Sequence, residues 1–195
     1  MLGLDLDNTV IDYGPAYPIV ARHLGLDSGL VDRTSIRGAL LTDSGDEEWQ
    51  RFQSCLYTWG LKSARPAKGL DELLDFCHSN QVPVSIISHK TARTPERFGG
   101  HELRLPALEW LGSWGVTPGR VPLENVHFCS TREHKVRTVS AVRCHVFVDD
   151  LAEVVDERTM PEATTRLHFG VRADTCLEHA HVQSLSEVVS WLSEN

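Results

Sequence analysis

Seven residues in this sequence have the types and spacing to act together: Asp5, Asp7, Thr9, Ser88, Lys135, Asp149 and Asp150. Most stand at or just beyond the end of a short apolar run. Leu2–Leu6 precedes Asn8-Thr9, Val82–Ile87 precedes Ser88-His89, and His145–Val148 precedes Asp149-Asp150. Four acids around one lysine repel strongly in a partly desolvated cleft. Either carboxyl pKa values rise or a cation binds, and hard oxygen ligands select Mg²⁺. Asp5, Asp7, Asp149 and Asp150 are therefore the candidate metal ligands. Magnesium accepts a substrate phosphate into its shell. The Ser88 hydroxyl and the Lys135 ammonium suit the remaining phosphate oxygens, with Thr9 and the backbone N–H groups after Asp5, Leu6 first, as further donors.

The expected roles then separate. Asp5 is placed to attack phosphorus in line and form an aspartyl-phosphate. Asp7, two residues on, can protonate the leaving alkoxide and then deprotonate the attacking water. Asp149 completes the metal shell with Asp150 in support, and Lys135 offsets charge on the nucleophile and the transferring phosphoryl group. Asp5, Asp7 and Lys135 form the expected catalytic set. Taken singly, each feature has a plainer reading: an Asx turn at Asp5–Thr9, a cap at Ser88, a solvated lysine, and a cap at Asp149-Asp150 for the helix bearing Leu151, Val154 and Val155. Their order sets them apart, because each ends or follows a strand in turn.

The elements that must position these residues alternate. The apolar runs, completed by Val126–Cys129 and Leu167–Val171, are short and β-branched, as suits strands buried on both faces of a parallel sheet. Between them lie helical stripes: Leu70, Leu73, Leu74 and Cys77; Leu105, Leu108 and Leu111, with Gly115 as a stop; and Leu185, Val188, Val189 and Leu192. Ser184 with Glu187, and Ser130 with Glu133, have capping-box spacing. The second pair starts a helix that carries Lys135 near its N-terminal end. The class is α/β, a doubly wound parallel sheet, and ligands of such sheets bind beyond the carboxyl ends of the strands.

One interval is too long. From Asp5 to the helix at Leu70 the chain far exceeds the ~2–6 residues of an ordinary βα connection. Tyr17, Val20 and Leu24 mark one helix in it, and Trp49, Phe52, Leu56 and Trp59 another. Residues 13–67 are read as a small helical insertion, a cap, on an α/β core of residues 1–12 and 68–195.

These residues resemble the haloacid dehalogenase (HAD) superfamily. The first motif corresponds to Asp5-Leu-Asp-Asn-Thr9, the second to Val-Ser-Ile-Ile-Ser88, the third to Lys135 and the fourth to His-Val-Phe-Val-Asp149-Asp150. The resemblance covers nearly the whole chain. It implies strand order 3-2-1-4-5 and a C1-type cap, with no space between Ser88 and Lys135 for a large second one. Ser88-His-Lys-Thr91, Leu-Glu-Trp-Leu at 108–111 and the stretch from Asp149 to Val155 are similar to one bacterial branch of HAD-like hydrolases, a likeness that names no substrate. Asp7 implies phosphoryl chemistry, since the superfamily's dehalogenases lack an acid there.

The loop after Ser88 gathers His89, Lys90, Arg93, Arg97, His101 and Arg104 within an otherwise acidic protein of net charge −8. It is read as a mobile arm hinged at Gly99-Gly100, with His89, Lys90 and Arg93 binding substrate and the His89 N–H contacting phosphate. The acidic balance excludes a protein that holds nucleic acid by neutralising its phosphates. Five scattered cysteines without a C-x-x-C fit reduced core thiols, Cys176 among them. No apolar run approaches a membrane span, and Met1–Asp5 enters a strand without room for a signal peptide, so a cytoplasmic location is expected. The other histidines show no zinc spacing. The tryptophan-bearing helix suits a homodimer contact as well as a lid. The expected activity is a Mg²⁺-dependent phosphatase for a small phosphorylated metabolite. The alternatives are a sugar-phosphate phosphotransferase or phosphomutase and a catalytically silent binding protein.

Overall fold

The computed structural model describes residues 1–26, 29–43, 46–170 and 179–195. Val171 and Cys176 lie outside these residues. The strands are β1 (Leu2–Leu4), β2 (Ile11–Asp12), β3 (Arg65–Pro66), β4 (Val84–His89), β5 (Val126–Cys129), β6 (Val146–Asp149), β7 (Thr165–Phe169) and β8 (Ala180–Val182). The helices are α1 (Tyr17–His23), α2 (Arg33–Asp43), α3 (Asp46–Tyr57), α4 (Leu70–Ser79), α5 (Arg104–Ser113), α6 (Arg132–Ala141), α7 (Ala152–Val155) and α8 (Leu185–Glu194). Six strands form one parallel sheet in the order β5-β4-β1-β6-β7-β8. Counted within the sheet this is 3-2-1-4-5, the expected order, with β8 added at the edge. Three residues, Ala180-His181-Val182, make no apolar run, so nothing in the sequence pattern announced that strand.

The chain divides into two compact units. The first comprises Met1–Ile11, Pro66–Thr91 and Leu111–Asn195; the second comprises Asp12–Arg65 and Ala92–Trp110. The sequence reading assigned 92–110 to the core, whereas these residues group with 12–65. The loop closes on itself through Thr94 N–H to His101 O and Leu103 N–H to Ala92 O, each at 2.9 Å, and the Arg97 side chain bonds Gln50 on α3.

In the first unit, β1 is central and wholly buried because it pairs on both sides, Leu4 standing between Ile86 and Val148. Ile87, Cys129, Val136, Val139, Cys144, Phe147 and Val154 form a common core. Gly3 admits that packing: a Cβ there would come within 2.6 Å of Cys144 Sγ and 2.8 Å of Phe147 Cδ2. Helix α4 buries the expected stripe of Leu70, Leu73, Leu74 and Cys77, each contributing about 1.5–3 kcal/mol of apolar burial. The cap of α8 is as expected: Ser184 Oγ accepts from Glu187 N–H, and Glu187 Oε2 accepts from Gln183 N–H. That of α6 shifts by one residue. Thr131, not Ser130, is the N-cap and accepts from His134 N–H at 3.1 Å. His179 contacts Asp156, and the rings of His168 and His181 stack with Nδ1 atoms 3.2 Å apart.

In the second unit, α3 turns Trp49, Phe52 and Leu56 inward. Phe52 stacks between Trp49 and Tyr17 of α1. Trp59, expected in the same stripe, lies beyond the helix in a short 3₁₀ turn and is exposed. On α5 the buried residues are Ala107, Trp110 and Leu111, whereas Leu105 is 56% exposed, so of the expected leucine stripe only its last member is buried. Among the described residues no helix is long and apolar enough to cross a membrane.

Candidate active site

Parallel pairing brings the carboxyl ends of β1, β4 and β6 side by side, and the chain leaves each with a polar residue. Asp5 follows β1 and donates its N–H to Val148 O at 2.9 Å. Asp149 closes β6, and Lys135 arrives on the first turn of α6. Lys135 Nζ donates to Asp5 Oδ1 at 2.5 Å and to Asp149 Oδ2 at 2.6 Å. All three residues are buried, Asp149 completely. The second oxygen of Asp149 accepts from Leu151 N–H at 2.9 Å. Asp149 thus organises the turn into α7 and holds the lysine at once.

Carboxylate oxygens of Asp5, Asp149 and Asp150 lie within 4.8 Å of one another. Three carboxylates this close together suit a cation bound by oxygen ligands. Burial pushes the Asp5 carboxyl well above the usual carboxylate range; Lys135 opposes the rise, and Asp149, Asp150 and Asp7 add to it. Burial also works against the charge on Lys135, but Asp5 and Asp149 outweigh it and hold its pKa above that of an ordinary lysine.

Asp7, expected among the metal ligands, is not part of this group. Its two carboxylate oxygens accept from Lys90 Nζ at 3.0 and 2.7 Å. Lys90 is only 4% exposed and its N–H bonds Cys129 O, so it is a fixed residue. Lys90, expected as a substrate-binding group of a basic loop, is thus also the buried partner of Asp7. A signal was present: residues 88 and 90 share a face of an extended chain. Strand β4 runs two residues further than expected, so Ser88 and His89 lie within it. Ser88 is buried at 1% exposure.

Thr9 is fully buried, and its Oγ1 has no hydrogen-bond partner. Leu6 contributes its side chain to the core, and its carbonyl accepts from Val10 and Ile11 N–H as the loop turns through Asn8, whose φ is 66°. His89 is exposed. Its Nε2 lies 3.3 Å from Ser130 O, so that nitrogen carries the ring proton. Partial burial lowers the His89 pKa and Lys135 and Arg132 lower it further, against the Ser130 carbonyl and Asp149. Arg93 belongs to the second unit, where Nη1 donates to Gly100 O at 3.1 Å. The structure therefore brings together Asp5, Lys135, Asp149 and Asp150 and sets Asp7, paired with Lys90, two residues from Asp5.

No family model matches the chain, and neither does any curated protein. Solved structures do match along nearly its full length. A HAD-family hydrolase from Deinococcus radiodurans, with bound phosphate and sodium, superimposes with TM-score 0.62 at 14% identity over 99% of this chain and 94% of that one. A HAD-superfamily hydrolase from Ehrlichia chaffeensis gives 0.56 at 13% identity over 99% and 95%. Protein tyrosine kinase A of Mycobacterium tuberculosis gives 0.63 at 16% over 98% and 97%. Identity this low carries the fold and not the reaction, as the kinase among the three illustrates. The chain has the HAD-superfamily fold.

Proposed function

We propose that this protein is a Mg²⁺-dependent phosphatase acting on a small phosphorylated metabolite. The observation that carries the reading is the convergence of Asp5, Asp149 and Asp150, with the Lys135 ammonium bonded to the first two. The trio would hold the cation, which when bound offsets charge on the phosphoryl oxygens. An oxygen of Asp5 attacks phosphorus while the ester P–O bond breaks, giving an aspartyl-phosphate and an alkoxide. Asp7 supplies the proton that makes the alkoxide an alcohol, and for this the Asp7–Lys90 pair must open. A water then loses its proton to Asp7 and attacks the same phosphorus; the P–O bond to Asp5 breaks, restoring the carboxylate and releasing inorganic phosphate. Lys135 stays charged throughout and holds Asp5 in position, while Ser88 and the N–H groups after Asp5 receive phosphoryl oxygens.

The insertion between the first two motifs is proposed as a substrate-selecting cap on its place in the sequence. A cytoplasmic location is proposed on the five scattered cysteines, which lack a C-x-x-C and suit reduced thiols. The test is phosphate release from p-nitrophenyl phosphate, sugar phosphates and nucleotides, with Mg²⁺ and with EDTA. Metal-dependent turnover that Asp5→Asn abolishes supports the reading; no release by folded, metal-loaded protein refutes it. A sugar-phosphate phosphotransferase or phosphomutase is the second reading, since an acceptor hydroxyl can take the phosphoryl group from Asp5 as water does. It would retain phosphate on Asp5 until an acceptor hydroxyl is supplied.

A further inference from the structure

The second unit contains a cavity of about 190 Å³ lined by Arg51, Ser54, Cys55 and Thr58 on one side and by Arg97, Phe98 and His101 on the other, with Trp59 between. None of these residues belongs to the Asp5 constellation. The first wall is one face of α3 and its continuation: positions 51, 54, 55 and 58 recur at helical spacing, opposite the buried Trp49, Phe52 and Leu56. The Ser54 and Thr58 hydroxyls donate back to the carbonyls of Gln50 and Ser54 at 2.8 and 2.6 Å. Their protons are committed, so charge recognition falls to the arginines and the histidine.

The second wall, read from the sequence as a mobile arm, is braced by its own hydrogen bonds. Gly99 and Gly100 sit at φ 97° and 56° within a closed turn, in which Gly99 N–H bonds Glu96 O and Gly100 N–H bonds Pro95 O. Thr94 grips His101 through both its N–H and its Oγ1. The His101 ring packs so closely on Gly99 that a Cβ there would fall 2.4 Å from Nε2. Arg97 is also held, its guanidinium 4.8 Å from the centre of the Phe98 ring and bonded to Gln50. The indole of Trp59 meets the His23 ring edge-on at 4.9 Å. A preformed cavity with two guanidiniums, one imidazole and two aromatic rings thus stands in a protein of net charge −8.

We propose that this cavity is a binding site for a small aromatic anion, a single flat ring bearing a phosphonate, phosphate or carboxylate. The anion would be taken by Arg51 and Arg97, assisted by His101, and the ring by Trp59 and Phe98. Each arginine keeps one glutamate at 3.5 Å, Glu48 for Arg51 and Glu47 for Arg97. Such exposed contacts are weak, and a guanidinium has five N–H donors to share. The volume suits one ring with its anionic group, since pockets for drug-sized ligands begin at roughly 300 Å³. The proposal does not rest on the phosphatase reading.

Cys55 provides the readout. It is the partly accessible thiol among the described cysteines, the others being buried, and it lines the cavity. The experiment follows alkylation of Cys55 by peptide mass spectrometry in the full chain, with phenylphosphonate as the probe. Its C–P bond is not a phosphatase substrate. Inorganic phosphate, which would enter a phosphatase centre equally well, and benzyl alcohol are the controls. Phenylphosphonate at ten times its Kd should slow alkylation about tenfold, with little protection by either control. Arg51→Gln alters an exposed side chain with one weak partner; it should raise the Kd about tenfold or more. The same protection by phosphate alone, by benzyl alcohol alone or by none of the three overturns the proposal, as does full protection retained in Arg51→Gln.

Discussion

Lys90 is bonded through its ammonium to both carboxylate oxygens of Asp7, at 2.7 and 3.0 Å, across 83 residues of sequence. The lysine side chain is 3% exposed and that of the aspartate 14%. The pair is thus nearly shut off from solvent beside a second cluster of acids. Lys90 neutralises Asp7 locally, and Lys135 pairs with Asp5 and Asp149.

Removing one partner should cost more than removing both. Lys90→Met leaves Asp7 without its cation and should destabilise the fold by about 3 kcal/mol, the lower end of what breaking a buried pair costs. Lys90→Met combined with Asp7→Asn should recover part of that loss. Urea unfolding of the two single variants and the double variant measures it, and an interaction energy near zero in the cycle would mean the pair is energetically idle.

The convergence of Asp5, Lys135 and Asp149 was legible because Asp5 and Asp149 stand at strand ends and Lys135 opens the helix after a third strand, and strands buried on both faces are the easiest elements to find as apolar runs. The β-α alternation brings such ends to one edge of the sheet. Pairing was not legible. Lys90 and Arg93 are both basic residues just beyond Ser88, yet one is a buried partner of Asp7 and the other bonds a glycine carbonyl in the second unit. Composition cannot separate them, since burial is decided by contacts distant in sequence. Trp59 failed for a local reason: α3 ends at Tyr57, so the helical period no longer applies two residues later. The edge strand at Ala180 was hidden by its brevity.

Lys135 balances more negative charge than its own. Lys135→Met would strand Asp5 and Asp149 without a cation and should lower stability by about 3–5 kcal/mol in EDTA. Millimolar Mg²⁺ should restore a substantial part, because a cation in the acidic trio replaces the lost charge. Thermal or urea unfolding with and without metal decides it. If magnesium stabilises neither the variant nor the native protein, the trio is not a metal site.

The buried thiols set a limit on alkaline stability. Burial raises the pKa of Cys77 and of Cys144 to about 11, with the N-terminal ammonium opposing slightly. From the ordinary thiol value upward, the unfolded chain loses these protons while the folded chain keeps them. The folded state then holds more protons and stability falls as pH rises. Each thiol should remove about 2–3 kcal/mol by pH 11. Urea midpoints at pH 8 and pH 10 should diverge in the native protein and converge in a Cys77→Ala, Cys144→Ala variant. An equal pH dependence in both would show that other groups control the loss.

Asp5 should produce a slope of the same sign in a different range. Its folded pKa is raised, so above about pH 4 the unfolded chain releases this proton while the folded chain retains it. Stability therefore falls with rising pH until Asp5 ionises within the fold. Magnesium favours the ionised carboxylate, so its addition should both stabilise the protein and flatten the decline, releasing a proton on binding. Asp5→Asn, which cannot titrate, should lack the slope even in EDTA. The measurement is the urea midpoint between pH 4.5 and pH 8 for both proteins, with EDTA and with Mg²⁺. Parallel curves in EDTA would place the excess proton elsewhere and remove the argument that Asp5 awaits a cation to become the nucleophile.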